Sequence, residues 1–168
     1  MAITKIQSES LNLSDTYDFT GTVTGAGGVN TPMVYVQSNS GTTCTNNTFT
    51  KITLDNEIID TDNLFSSSRF TVSSGYEGKY LIVWQISFNH TELQKAVIGG
   101  IYKNGSIIAY GQDQSAKGSN HTMIVRTSII TDLTTNDYIE FYGRHDTGSD
   151  KDHNSNIYTN ASITKLIS

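Results

Sequence analysis

From Tyr80 the chain alternates. The even positions read Tyr80, Ile82, Trp84, Ile86 and Phe88, and the odd ones Leu81, Val83, Gln85 and Ser87. A period of two defines a strand, here with one wholly apolar face and one mixed face. In a small all-β domain the mixed face meets either a second sheet layer or a neighbouring subunit. The surrounding stretch, FSSSRFTVSSGYEGKYLIVWQISF, sets a Ser-rich turn, a short strand, a Gly-bounded turn and a long apolar strand in succession. That order predicts an antiparallel β-sandwich.

Further strands are predicted over 33–37, 49–54, 69–72, 79–89, 96–103, 106–112, 122–131, 137–143 and 160–167. Residues 38–47, rich in Ser, Thr, Asn and Gly, read as an exposed loop. Asn104-Gly105 lies between two apolar runs, and both residues tolerate the positive φ of a type I′ hairpin, which makes this the clearest local signal in the chain. Thr134-Thr135-Asn136-Asp137 gives a second turn ahead of Tyr138 to Tyr142. Eight or more strands with no helix between them predict a sandwich or jelly roll.

Composition sharpens this picture. Thr, Ser and Asn supply 56 of 168 residues while only 16% are charged, so the surface is built from hydroxyls and amides, which support strands and turns rather than helices. The formal charge is −5, with Lys and Arg scattered singly. No basic stripe exists to track nucleic acid. No apolar run is long enough for a membrane-spanning helix, and Met1 to Ser10 lacks the apolar core of a secretory signal. The single cysteine, Cys44, cannot form an internal disulfide, which fits folding in a reducing cytoplasm.

The first 32 residues differ from the rest. Ile3, Ile6, Leu11, Leu13, Phe19 and Val23 give short alternating stretches without a core of their own, and the Gly25 to Gly28 run behind them supplies a flexible connection. Residues 1–32 are therefore expected to be an attachment segment and linker that orders only on another protein, and 33–168 a folded domain.

The motifs FTVSSGYEGKYLIVWQISF, IYKNGSIIAY, SIITDLTTNDYIEFYG and ASITKLI resemble, in order and spacing, the C1q/TNF-like jelly-roll domain over roughly residues 49–168. The resemblance implies a homotrimer around a three-fold axis with the mixed faces of some strands buried there. Leu81, Val83, Tyr138 and Tyr142 are the expected interface residues. ITKIQSESLNLSDTYDFTGTVTGAGGVNTP resembles a segment that recurs in structural proteins of marine bacteriophages ahead of varied distal modules. Together the two imply a fibre-type virion appendage made in the host cytoplasm, anchored to other virion proteins through residues 1–32. The chain lacks the collagen stalk of animal C1q relatives.

Candidate chemistry is concentrated in residues 144–156, RHDTGSDKDHNSN. Asp146, Asp150 and Asp152 place hard oxygen ligands at near-alternating positions that suit Ca²⁺, without the Gly and terminal Glu of an EF-hand, and a solvated loop is the plainer reading. Arg144, His145, Asp146, Asp150, Asp152, His153 and Tyr158 together form the candidate binding set for a host-surface glycan or protein, with Tyr158 as a stacking surface. The four histidines otherwise read as isolated surface residues. Tyr138 and Tyr142 flank Glu140 opposite Ile139 and Phe141, and suit a three-fold interface or a carbohydrate platform. Trp84 reads as core, and Cys44 as unreactive. No second carboxylate partners Glu140 for glycoside cleavage, so no enzyme is expected. Two readings remain: a recognition head using loops 111–121 and 144–156, or a purely structural capsid decoration or tail-collar protein.

Overall fold

The computed structural model describes residues 31–90, 94–114 and 121–166. Most of the expected attachment segment and the tip of loop 111–121 lie outside the described residues. The rest is all-β and antiparallel, as the alternation predicts. In chain order the strands are β1 (Met33–Ser38), β2 (Thr43–Cys44), β3 (Thr50–Lys51), β4 (Asn56–Asp60), β5 (Phe65–Ser66), β6 (Arg69–Thr71) and β7 (Gly78–His90). They continue as β8 (Ala96–Lys103), β9 (Ser106–Gln114), β10 (His121–Leu133), β11 (Tyr138–His145), β12 (Lys151–Asp152) and β13 (Asn156–Lys165). One sheet runs β10-β7-β13-β1-β4, and the facing sheet runs β5-β6-β11-β8-β9 with β3 also paired to β11.

The core lies between these layers. Tyr80, Ile82, Trp84, Ile86 and Phe88 are each fully buried, worth about 1.5–3 kcal/mol apiece for the larger aliphatic and aromatic side chains. Val34, Val36, Ala161 and Ile163 join them from the same sheet, and Phe70, Ile101, Ile139 and Phe141 face them from the other. Trp84 stacks on Phe141 with ring centroids 5.0 Å apart, and its indole N–H donates to the Tyr142 carbonyl at 3.1 Å.

A row of glycines makes room for β7 and β10, with Gly99 directly against that indole. Gly143, Gly99 and Gly111 are direct neighbours across β11, β8 and β9. A Cβ on Gly143 would stand 2.3 Å from Ile86 Cδ1, one on Gly99 3.1 Å from Trp84 Nε1, and one on Gly111 2.6 Å from the Arg126 carbonyl. The side chains that these strands leave out are the volume that β7 and β10 fill.

The β8–β9 hairpin turns on Asn104 (φ 52°) and Gly105 (φ 78°), both left-handed as a type I′ turn requires. The Asn104 side chain ties this turn to the next one, donating to Asp137 Oδ1 at 2.6 Å and accepting from the Tyr138 amide at 2.9 Å. Asp137 also accepts from the Thr134 amide at 2.8 Å and pairs with Lys103 at 2.9 Å. Desolvation alone would raise its pKa, but these donors outweigh it and hold the carboxyl well below the usual range.

Three expectations change. Of the strand expected over 49–54 only Thr50–Lys51 pairs as strand, although Ile52 still donates to the Phe141 carbonyl at 2.9 Å. β4, sequence NEIID, arises without alternation because it edges onto β1 rather than spanning two layers. The loop over 38–47 is not uniformly exposed. Ser38 and Cys44 are fully buried, because β2 pairs with β12 at the end of the sandwich.

Candidate functional site

The loop over 144–156 is fastened to the body at several points. Asp146 Oδ1 accepts from the Ala96 amide at 2.7 Å, Asp150 Oδ1 from the Asn46 amide at 2.9 Å, and Asp152 Oδ1 from the Thr43 hydroxyl at 2.6 Å. Asn46 returns the contact by accepting from the Gly148 amide at 2.8 Å. Each carboxylate thus neutralises a different donor. Among the described residues no group of three or more His, Cys, Asp or Glu side chains converges to hold a metal. The Ca²⁺ set expected of Asp146, Asp150 and Asp152 is not assembled, since alternation along a loop does not make its side chains converge.

His145 and His153 are not surface residues either; they are 1% and 4% exposed. Phe88, at the far end of β7, packs against both rings at centroid distances of 5.2 and 6.4 Å. A His145 ring nitrogen lies 2.9 Å from the Cys44 carbonyl, and the other lies 3.0 Å from the Thr147 hydroxyl. His153 sits between the Ser38 hydroxyl at 3.3 Å and the Asn154 carbonyl at 3.0 Å. Burial lowers its pKa, and the Asn154 carbonyl with the Asp152 and Asp55 charges only partly offsets that. Both imidazoles are structural plugs under the loop, out of reach of a ligand. Cys44 is inert for the same reason, its thiol pushed up to about 12 by burial and by Asp152. Of the predicted binding set, only His145 and His153 are buried; Arg144, Asp146, Asp150, Asp152 and Tyr158 keep an accessible side.

Tyr158 belongs elsewhere. On β13 its neighbours Thr159, Ala161 and Ile163 point inward, so Tyr158, Asn160, Ser162 and Thr164 stand on the outer face. That is the face of Leu81 and Val83. Leu81 lies between Ile130 and Thr164, and Val83 between Ser128 and Ser162. Ile130 is 61% exposed, and Leu81, Ile124, Ile59 and Tyr158 lie between 36 and 47%. Hydroxyl side chains fill some of the spaces between them, a polar row of Arg126, Gln85 and Asn160 crosses the face with Arg126 Nε donating to Gln85 Oε1 at 2.7 Å, and the Lys79–Asp132 ion pair sits at its end. Ile124 and Ile130 were absent from the predicted interface, although the even positions of 122–131 carry them.

Tyr138 and Tyr142 lie on the opposite side of the molecule. On β11 the residues Ile139, Phe141, Gly143 and His145 face the core, and Tyr138, Glu140, Tyr142 and Arg144 face out. Outer faces of two stacked sheets point in opposite directions, so these tyrosines cannot share one patch with Leu81 and Val83. They are engaged within the chain. Glu140, its side chain only 5% exposed, accepts at Oε1 from Lys51 Nζ at 2.8 Å and forms an ion pair there with Arg69 Nη2 at 2.8 Å. Arg69 Nε donates a second hydrogen bond to Oε1 at 2.9 Å, and the Tyr142 hydroxyl reaches Oε2 at 3.4 Å. The Arg69 guanidinium covers the Tyr138 ring at 4.1 Å, and Tyr142 stacks on Tyr102 at 4.1 Å. Desolvation would raise the Glu140 pKa, but the hydrogen bonds and charges of Lys51 and Arg69 outweigh it and hold the carboxylate ionised.

No family model and no curated protein matches the sequence. Solved structures do match the architecture. The globular domain of zebrafish complement 1qA aligns with TM-score 0.57 at 14% identity, over 82% of this chain and 98% of that one. Murine APRIL aligns at 0.59 and 13% identity, over 80% and 98%. Eiger TNF from S. frugiperda aligns at 0.59 and 11%, over 80% and 92%. The fold is the C1q/TNF-like jelly roll. At these identities the likeness concerns the fold alone.

Proposed function

We propose that the chain is a fibre-type bacteriophage virion appendage protein, a homotrimer whose jelly-roll heads recognise a host-surface glycan or protein. The observation that carries the assembly is the outer face of β10-β7-β13-β1-β4, where Leu81, Val83, Ile130, Ile59 and Tyr158 leave apolar surface between hydroxyls and the Arg126–Gln85 hydrogen-bonded pair. A surface of this kind is characteristic of subunit contacts. The C1q/TNF-like fold supports a three-fold arrangement, and the phage-like sequence of residues 1–32 supports attachment to other virion proteins.

One observation favours the purely structural alternative, a capsid decoration or tail-collar protein. The polar groups of loop 144–156 are largely consumed by the chain's own backbone, leaving little there for a ligand. Antibody raised against the folded domain separates the readings. Gold labelling at a distal fibre tip, together with adsorption of the purified protein to host cells, is expected from recognition. Labelling spread over the capsid or collar without adsorption supports decoration, and virions that carry no label overturn both.

A further inference from the structure

We propose that a groove on the outer face of the second sheet binds a carboxylate-bearing sugar, a uronic acid unit of a surface polysaccharide. This rests on the recognition reading above and keeps only Arg144 of the 144–156 set, moving the site onto the sheet face beside it. The groove encloses about 240 Å³ and is lined by Phe49, Ile98, Ile107, Tyr110, Gln112 and Arg144. That is below the roughly 300–1,000 Å³ of drug-sized pockets and suits a single sugar ring.

Beneath it lies Gly100, over which the rings of Tyr102 and Phe49 and the Ile107 methyl close so tightly that a Cβ would meet them at 3.1 to 3.4 Å. Phe49 and Tyr102 meet edge to face with centroids 5.9 Å apart, and Tyr102 stacks on Tyr142, so the floor is a rigid aromatic layer. Beside it Tyr110 is 64% and Ile107 43% exposed. A pyranose presents an apolar C–H face, and a fixed aromatic layer is its natural complement.

The polar rim selects the charge of the ligand. Arg144 donates to Asn47 Oδ1 and lies 5.7 Å from the Phe49 ring. Unlike Arg69, Lys51, Lys79 and Lys103, it has no carboxylate within ion-pair distance among the described residues. The Gln112 amide beside it likewise makes no hydrogen bond among those residues. An uncompensated guanidinium over an aromatic floor, on a chain of net charge −5, accepts a carboxylate in a bidentate fork. A neutral sugar would leave that fork unused. The groove also faces away from the proposed subunit contact, so three copies would act together on a repeating polymer.

The test uses the full-length protein and calorimetric titration with trimers of galacturonate, glucuronate and mannuronate, against neutral oligohexoses of the same length. At least one oligouronate is expected to bind, about tenfold or more tightly than its neutral counterpart, with binding weakened by salt. Arg144→Gln and Tyr110→Ala should each weaken it by about tenfold or more while leaving the thermal midpoint near wild type. Binding of none of the oligouronates, equal binding of acidic and neutral oligomers, or wild-type affinity in Arg144→Gln overturns the inference. So does loss of oligomeric mass in Tyr110→Ala, which would make the groove a contact between copies. Light scattering on the same samples keeps the two claims apart: an intact trimer that ignores uronates defeats only this site, and a monomer that binds them defeats only the assembly.

Discussion

Replacing Glu140 by Gln keeps the shape of the side chain and removes its charge. Oε1 then loses two charge-assisted hydrogen bonds, from Lys51 and from Arg69 Nε, each worth about 1.5–3 kcal/mol when fully sequestered. Breaking a fully buried pair costs about 3–5 kcal/mol. Here the carboxylate is 5% exposed, but the Lys51 and Arg69 side chains are 34% and 44% exposed and regain water once released. About 2 kcal/mol is the expected net loss, or roughly 5–10 °C in thermal midpoint for a domain of this size. Because the folded pKa is depressed below the ordinary 4.5, the contribution is complete above that value and is lost as pH falls through the lowered one. Urea denaturation at fixed protein concentration, from pH 7 down to about pH 3, should show wild type and Glu140→Gln far apart at neutrality and converging in acid, with equal slopes. Adding Arg69→Met to each should reveal a coupling of about 1 kcal/mol. A neutral-pH difference below about 0.5 kcal/mol, the level of ordinary surface changes, or a gap constant across the range, would refute the assignment.

Three further outcomes follow from burial. His153→Gln should flatten the loss of stability between pH 6.5 and more acid values, since the depressed folded pKa of His153 makes the wild type bind protons preferentially when unfolded; denaturation midpoints against pH check this. Cys44 should resist thiol reagents at neutral pH and react at once in urea, because its thiol is buried and raised to about 12, and labelling followed by mass spectrometry reads it directly. Gly111→Ala should destabilise by about 1–3 kcal/mol, the usual cost of overpacking, because the new methyl meets the backbone carbonyl of Arg126 at 2.6 Å rather than a side chain that can yield.

The long strands were legible because burial on one face writes itself as alternation, and β7 carries five such positions in a row. The Asn104-Gly105 hairpin was legible because its backbone demands residues that tolerate positive φ. β4 was not, since an edge strand with exposed Ile58 and Ile59 has no reason to alternate. Neither were β2 and β12, two-residue strands joined across more than a hundred positions of chain. His145 and His153 sit in the most polar stretch of the sequence, and nothing local announces the Phe88 ring that covers them. Tyr158 was readable: Thr159, Ala161 and Ile163 alternate with it, and the small residues of that set mark the inner face. Loop 144–156 misled because clustered acidic side chains read as a ligand set when each was in fact anchoring a separate donor, the Ala96 and Asn46 amides and the Thr43 hydroxyl.

The central claim is that the outer face of β10-β7-β13-β1-β4 is covered by another copy of the chain. Light scattering at micromolar concentration tests it most directly, on wild type and on a Leu81→Glu, Ile130→Glu variant whose circular dichroism matches wild type. The account predicts three times 18.4 kDa for wild type and a single chain mass for the variant, because two carboxylates placed in an apolar contact cannot be desolvated without partners. A wild type that scatters as a single chain, or a variant that keeps the trimeric mass, would contradict it.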